Sequence, residues 1–176
     1  PEKDPSIACE SALLALDQGD LQASLLHVDA AEVHGQNATT AYIRGNISAV
    51  KGQLKQALYH YSDCLTLDSS HIRARLNRSS VYMGLDDARK ALDDAETLLD
   101  FAPQLAVARI RKGDALMHLG EWDLGAKEFK HVLEQAPHHT HALTQLAACY
   151  MGMDRAERAE APLNEALRQS PNHAPA

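Results

Sequence analysis

Cysteine is scarce, with only Cys9, Cys64 and Cys149 among 176 residues, and they lie far apart. No CxxC pair exists, and an odd count argues against a disulfide framework. The three thiols are expected as small buried hydrophobes in a reducing compartment. Aromatic residues make up 5% of the chain, so a core built on large rings is not available. No GxSxG, HExxH or phosphate-cradling glycine loop occurs, so neither a catalytic site nor a cofactor is expected. No apolar run approaches the roughly 20 residues that cross a bilayer. Basic residues are also in deficit, 17 against 24 acidic ones for a formal charge of −7, and without a basic stripe nucleic acid is not an expected partner. The opening Pro1-Glu2-Lys3-Asp4-Pro5 has neither an initiator methionine nor the character of a signal peptide. The last residues, from Pro171 to Ala176, form a junction without a capping helix after it. The expectation is a fragment of a longer protein, with the cytoplasm as its compartment.

What is abundant is regularity. Ala23, Ala57, Ala91, Gly125 and Ala159 recur at a fixed interval of thirty-four, and so do Ser11, Gly45, Ser79, Gly113 and Ala147. A third column is Ala30, Cys64, Leu98, Val132 and Ala166, and a fourth, Gly35, Ser69, Pro103, Pro137 and Pro171, holds breakers or loop formers. Two antiparallel amphipathic helices approach closely only where the facing side chains are small, so the small columns mark helix contacts. Larger residues stand one turn away on the same faces: Tyr82, Leu116 and Tyr150 in one series, Tyr61, Phe129 and Leu163 in the other. A single pair of helices cannot cover its own apolar surface, so stability must come from stacking pair on pair.

A period of thirty-four with small residues at helix contacts and a breaker at each junction resembles the tetratricopeptide repeat. The resemblance covers nearly the whole chain as one array of five units, 4–37, 38–71, 72–105, 106–139 and 140–173. It implies an all-α fold, a right-handed α-solenoid of five helix-turn-helix units and about ten helices, whose first helices line an inner groove. Groove positions read from that arrangement include Cys9, Tyr42, Ile43, Asn46, Arg73, Asn77, Met83, Ile110, Arg111, Met117 and His141. The first unit departs from the pattern, with His27 where an aromatic is expected, although Ala23 and Ala30 keep the phase. Pro162, inside the last second helix, should bend or shorten it. The acidic run Asp86, Asp87, Asp93, Asp94, Glu96 and Asp100 is expected on a solvated face.

Arg44-Gly45-Asn46, the segment from Leu76 to Tyr82, and Arg111-Lys112-Gly113 are similar to the first helices of co-chaperone tetratricopeptide domains. Those domains bind the acidic C-terminal tails of heat-shock chaperones with a clamp of two asparagines and three basic residues. The matching positions are Asn46, Asn77 and Arg111, and amide and guanidinium donors suit an acceptor-only carboxylate. Two clamp lysines are replaced by Tyr42 and Val107, and Arg73 on the same inner face stands in for one of them. The resemblance therefore implies a non-catalytic adaptor, binding a peptide through Asn46, Asn77, Arg111, Arg73, Tyr42, Met83 and Met117. The alternative is a substrate-selecting or self-association domain of a larger enzyme. The run His138-His139-Thr140-His141 falls at a unit junction, where histidine also ends other units, so no metal site is expected from it. Without a cap after His173, the apolar end of the last unit is expected to support a homodimer.

Overall fold

The computed structural model describes residues 4–33 and 35–169. It contains ten helices: α1 (Pro5–Asp17), α2 (Leu21–Glu32), α3 (Ala38–Val50), α4 (Leu54–Leu67), α5 (Ile72–Gly84), α6 (Ala88–Phe101), α7 (Ala106–His118), α8 (Trp122–Gln135), α9 (Thr140–Gly152) and α10 (Ala156–Gln169). No strand occurs among the described residues. The chain divides between Asp86 and Asp87 into two compact units, α1 to α5 and α6 to α10. The expected end beyond His173, like Pro171, lies outside the described residues.

Local chemistry starts and stops these helices. Asp4, Asp20, Asn37 and Asp87 accept the N-terminal amides of α1, α2, α3 and α6, and Asn37 with Thr40 completes a capping box. His71 and His139 cap as well, each accepting an amide at Nδ1, from Ala74 at 3.1 Å and from Ala142 at 3.2 Å. Histidine recurs at unit ends because a neutral imidazole can do the work of an Asn there. Each turn inside a hairpin passes through one left-handed residue: Gly19, Gly52, Asp86, Gly120 and Asp154. Glycine takes that conformation freely and aspartate is among the few other residues that tolerate it.

Those turn residues expose a correction in the first hairpin. The step from Gly19 to Gly52 is thirty-three positions, not thirty-four, and the burial pattern shifts with it. Ala12, Ser24, Val28 and Ala31 are fully buried, whereas Ala23 is half-buried and Ala30 exposed. The expected phase is therefore one residue early there, and Val28, not His27, fills the place of the aromatic. Ser24 secures the register by donating from Oγ to the Ala12 carbonyl at 2.9 Å.

Elsewhere the small columns sit where helices cross. A Cβ on Gly113 would stand 2.6 Å from Cζ of Phe129, and one on Gly45 would strike the Tyr61 ring, so each aromatic fills the space a side chain there would need. In the first unit Val28, Ala31, Ile43 and Ile47 form one core, and Tyr61, Cys64, Leu65, Ala74 and Val81 another. In the second unit Phe129, Val132, Ala142, Leu146 and Cys149 cluster in the same way. Each core joins the second helix of one hairpin to the first helix of the next.

Two further expectations change. Asp94 is 3% exposed and so is not on a wet face. The next residue in its column is Glu128, which is turned toward Arg109 at 3.1 Å and Lys112 at 3.5 Å on α7. Pro162 does not shorten α10, whose 14 residues equal those of α4, α6 and α8. Its packing on α9 outweighs one missing backbone hydrogen bond.

Candidate functional site

In the first unit, α3 and α5 bring Asn46 and Asn77 together. Asn77 Nδ2 donates to Asn46 Oδ1 at 2.9 Å, and the Tyr61 hydroxyl, arriving from α4, donates to the same oxygen at 2.8 Å. With its carbonyl doubly occupied, the Asn46 amide is oriented, and its Nδ2 meets no protein acceptor among the described residues. Burial pushes the Tyr61 phenol up to about 12, so it stays a neutral donor. These three side chains border a cavity of about 500 Å³ whose other walls include Leu16, Ala49, Val50, Leu54 and Val81. The result is an apolar hollow with oriented amide donors at its edge.

A second hollow of about 400 Å³ adjoins Tyr42, His71 and Arg73. The Tyr42 and His71 rings lie 4.8 Å apart and tilted. Arg73 is exposed and has no acidic partner among the described residues. Of the other expected groove residues, Met83 is half-buried on α5, while Ile43 and Ile110 are core residues; Cys9 belongs to the first core and also borders a hollow of about 470 Å³ beside Leu13 and Thr39. Which flank of a first helix turns to the core is set by packing, which the period alone does not specify.

In the second unit, Arg111 and Met117 share α7. Met117 packs on the core cluster there. Arg111 keeps a buried Nε without an acceptor, and its Nη1 lies 4.0 Å from Asp114. Asp114 occupies the place that Asn46 holds two repeats earlier, and it accepts from Gln145 at 3.1 Å while His141 approaches at 3.3 Å. The bridge between neighbouring first helices thus recurs, with a carboxylate replacing an amide. Composition along a single helix does not reveal this pairing, because the partners belong to consecutive repeats.

The histidine run disperses. His138 meets Glu165 at 2.9 Å, His139 caps α9 and His141 faces Asp114. Among the described residues no group of His, Cys, Asp or Glu is placed to hold a metal ion. All three cysteines are buried, and burial pushes the Cys64 and Cys149 thiols up to about 11. No described helix is long and apolar enough to cross a membrane.

Stacked helix hairpins of this kind define a protein–protein interaction module. Residues 116–176 match the model of the Tetratricopeptide repeat family, and the hairpin pattern continues through the rest of the described residues. The chain is 24% identical over 117 residues to Hsp70-Hsp90 organizing protein 3 of Arabidopsis thaliana, covering 66% of this chain and 21% of that protein. It is 28% identical over 86 residues to DnaJ homolog subfamily C member 3 of Gallus gallus, covering 49% and 17%. The chain thus spans about a fifth of the length of these relatives. Among solved structures, MamA from Desulfovibrio magneticus RS-1 superposes with a TM-score of 0.86 at 16% identity, over 98% of each chain. YrrB, described as a TPR protein with an unusual peptide-binding site, gives 0.79 at 24% identity, over 92% of this chain and 84% of its own. These likenesses establish the shared fold.

Proposed function

We propose that the first unit captures an extended segment of a partner protein, holding its backbone at Asn46 and Asn77 and one apolar side chain in the adjoining hollow. The observation that carries this reading is the Asn46–Tyr61–Asn77 network beside a cavity of about 500 Å³. Amide donors already oriented by protein hydrogen bonds lose little entropy on meeting a ligand acceptor. In its specific form the ligand is the acidic C-terminal tail of a heat-shock chaperone, as the names of the organizing-protein relatives suggest. Arg73, without an acidic partner among the described residues, then supplies charge that Tyr42 and Val107, in place of the two clamp lysines, do not. The module acts as an adaptor without catalysis of its own. Arg111, on α7 of the second unit, offers a guanidinium of its own to an acidic segment.

Fluorescence anisotropy of a labelled acidic peptide with a free C-terminus, and of its amidated form, tests the proposal. The free acid should bind more tightly, and Asn77→Ala should weaken it about tenfold, one charge-assisted hydrogen bond's worth. Equal affinity for both peptides removes the chaperone-tail version. No loss in Asn77→Ala and Asn46→Ala removes the groove itself.

A further inference from the structure

Two charges of the first unit stand against the field of their own helices. Asp17 is the last residue of α1, at the negative end of the helix dipole, where a cation is favoured. Arg73 is the second residue of α5, at the positive end, where an anion is favoured. Both are exposed, and neither has a partner of opposite charge among the described residues. The repeat does not require them. The last residues of α3, α5, α7 and α9 are Val50, Gly84, His118 and Gly152, and the second residues of α3, α7 and α9 are Thr39, Val107 and His141. Nothing described in the fold compensates either charge, so a bound molecule of complementary charge is what would.

Both charges border hollows that ride on α3. Asp17 lines the cavity of about 500 Å³ together with Asn46 and Val50, and Arg73 lines the one of about 400 Å³ together with Tyr42. His71, in the wall of the second, accepts the Ala74 amide at Nδ1, which leaves its proton on Nε2 as a further donor to an anion. Tyr42 and Val50 are eight residues apart on α3, a rise of about 12 Å, which an extended chain covers in about four residues. The apolar walls Leu16, Ala49 and Leu54 belong to the Asp17 hollow. Along α3 the first unit therefore presents a carboxylate, an apolar hollow and a cation.

We propose, on the footing that the first unit captures a partner segment, that this segment is dipolar. It carries a lysine or arginine paired with Asp17, an apolar side chain beside it in the larger hollow, and an aspartate or glutamate about four residues away at Arg73 and His71. A segment acidic throughout would bring one of its carboxylates against Asp17, so charge order selects among acidic ligands.

The probes are short glycine–serine peptides, acetylated and amidated so that only side chains carry charge. The first has a lysine, a leucine next to it and a glutamate four residues from the lysine; the second has glutamate at both charged places and the third has lysine at both. By fluorescence anisotropy, wild type should prefer the first peptide to either of the others by about three- to fivefold, the size of an exposed ion pair. Asp17→Lys should reverse the preference at the lysine place alone, and Arg73→Glu at the glutamate place alone. Both preferences should shrink between about 0.05 and 0.5 M salt. Without peptide, Asp17→Asn and Arg73→Gln should melt no lower than wild type, since each removes an unfavourable charge from a helix end. A charge preference unchanged in Asp17→Lys and Arg73→Glu, or a melting temperature that falls in the neutral variants, overturns the dipolar ligand. Equal binding of the three peptides, weakened alike by Asn77→Ala, removes the charge pattern and keeps the groove. Absence of binding by every peptide removes both.

Discussion

Two glycines show how differently the same residue type works here. Gly113 is an issue of space: Phe129 already occupies the volume that a Cβ would need. Gly113→Ala is expected to destabilise by about 1–3 kcal/mol through overpacking, read from the urea midpoint. Gly120 is an issue of backbone, with φ of 77° and nothing within 4 Å of the place a Cβ would take. Gly120→Ala should cost about 1 kcal/mol, and Gly120→Asn less, since Asp86 and Asp154 already adopt this conformation in sister turns. The Gly113 column was legible from spacing alone. The turn column was not, because it mixes glycine with aspartate and only the sign of φ unites them.

Among the helices, α3 and α4 carry a titrating group with a defined sign. His60 has an orphaned Nδ1, and burial, helped by the nearby Arg44 charge, lowers its pKa below the usual 6.5. Its protonation is therefore easier in the unfolded chain than in the fold. The His60 contribution to stability is complete above about pH 6.5 and is lost as pH falls below it. Comparing urea midpoints of wild type and His60→Gln between pH 7.5 and 5 should show a steeper decline for wild type. The Arg44 guanidinium is held charged mainly by Glu32, through contacts at 2.5 and 3.0 Å, with Asp29 beside it. Arg44→Ala should leave Glu32 half-buried without its partner and weaken the α2–α3 seam by about 1–3 kcal/mol. The sequence displays Arg44, Arg78 and Lys112 as a basic column beside the small residues. Their acidic partners were not legible, since Asp29 and Glu96 fall on helices whose contact depends on stacking.

For the molecule as a whole, the cysteines offer a readout of opening. Cys9 and Cys64 lie in the two cores of the first unit and Cys149 in that of the second, all buried and with raised thiol pKa values. Labelling by a thiol reagent at pH 8 should be slow in the native protein and accelerate with urea in step with the circular dichroism transition. Fast labelling in buffer would mean that these cores open locally. Periodicity by itself determined that this chain makes helix hairpins at a period of thirty-four, with small residues at their crossings, since close helix approach leaves no other choice of side chain. The expectation that Asn46, Asn77 and Arg73 lie on inner faces came from the resemblance to tetratricopeptide repeats, not from spacing. Only the tertiary structure decided the shorter step at the first hairpin, the burial of Ile43, Ile110 and Asp94, and the sharing of one Asn46 oxygen by Tyr61 and Asn77. Such details depend on which helix lies against which, and a contact between side chains almost a whole repeat apart leaves no trace in local spacing.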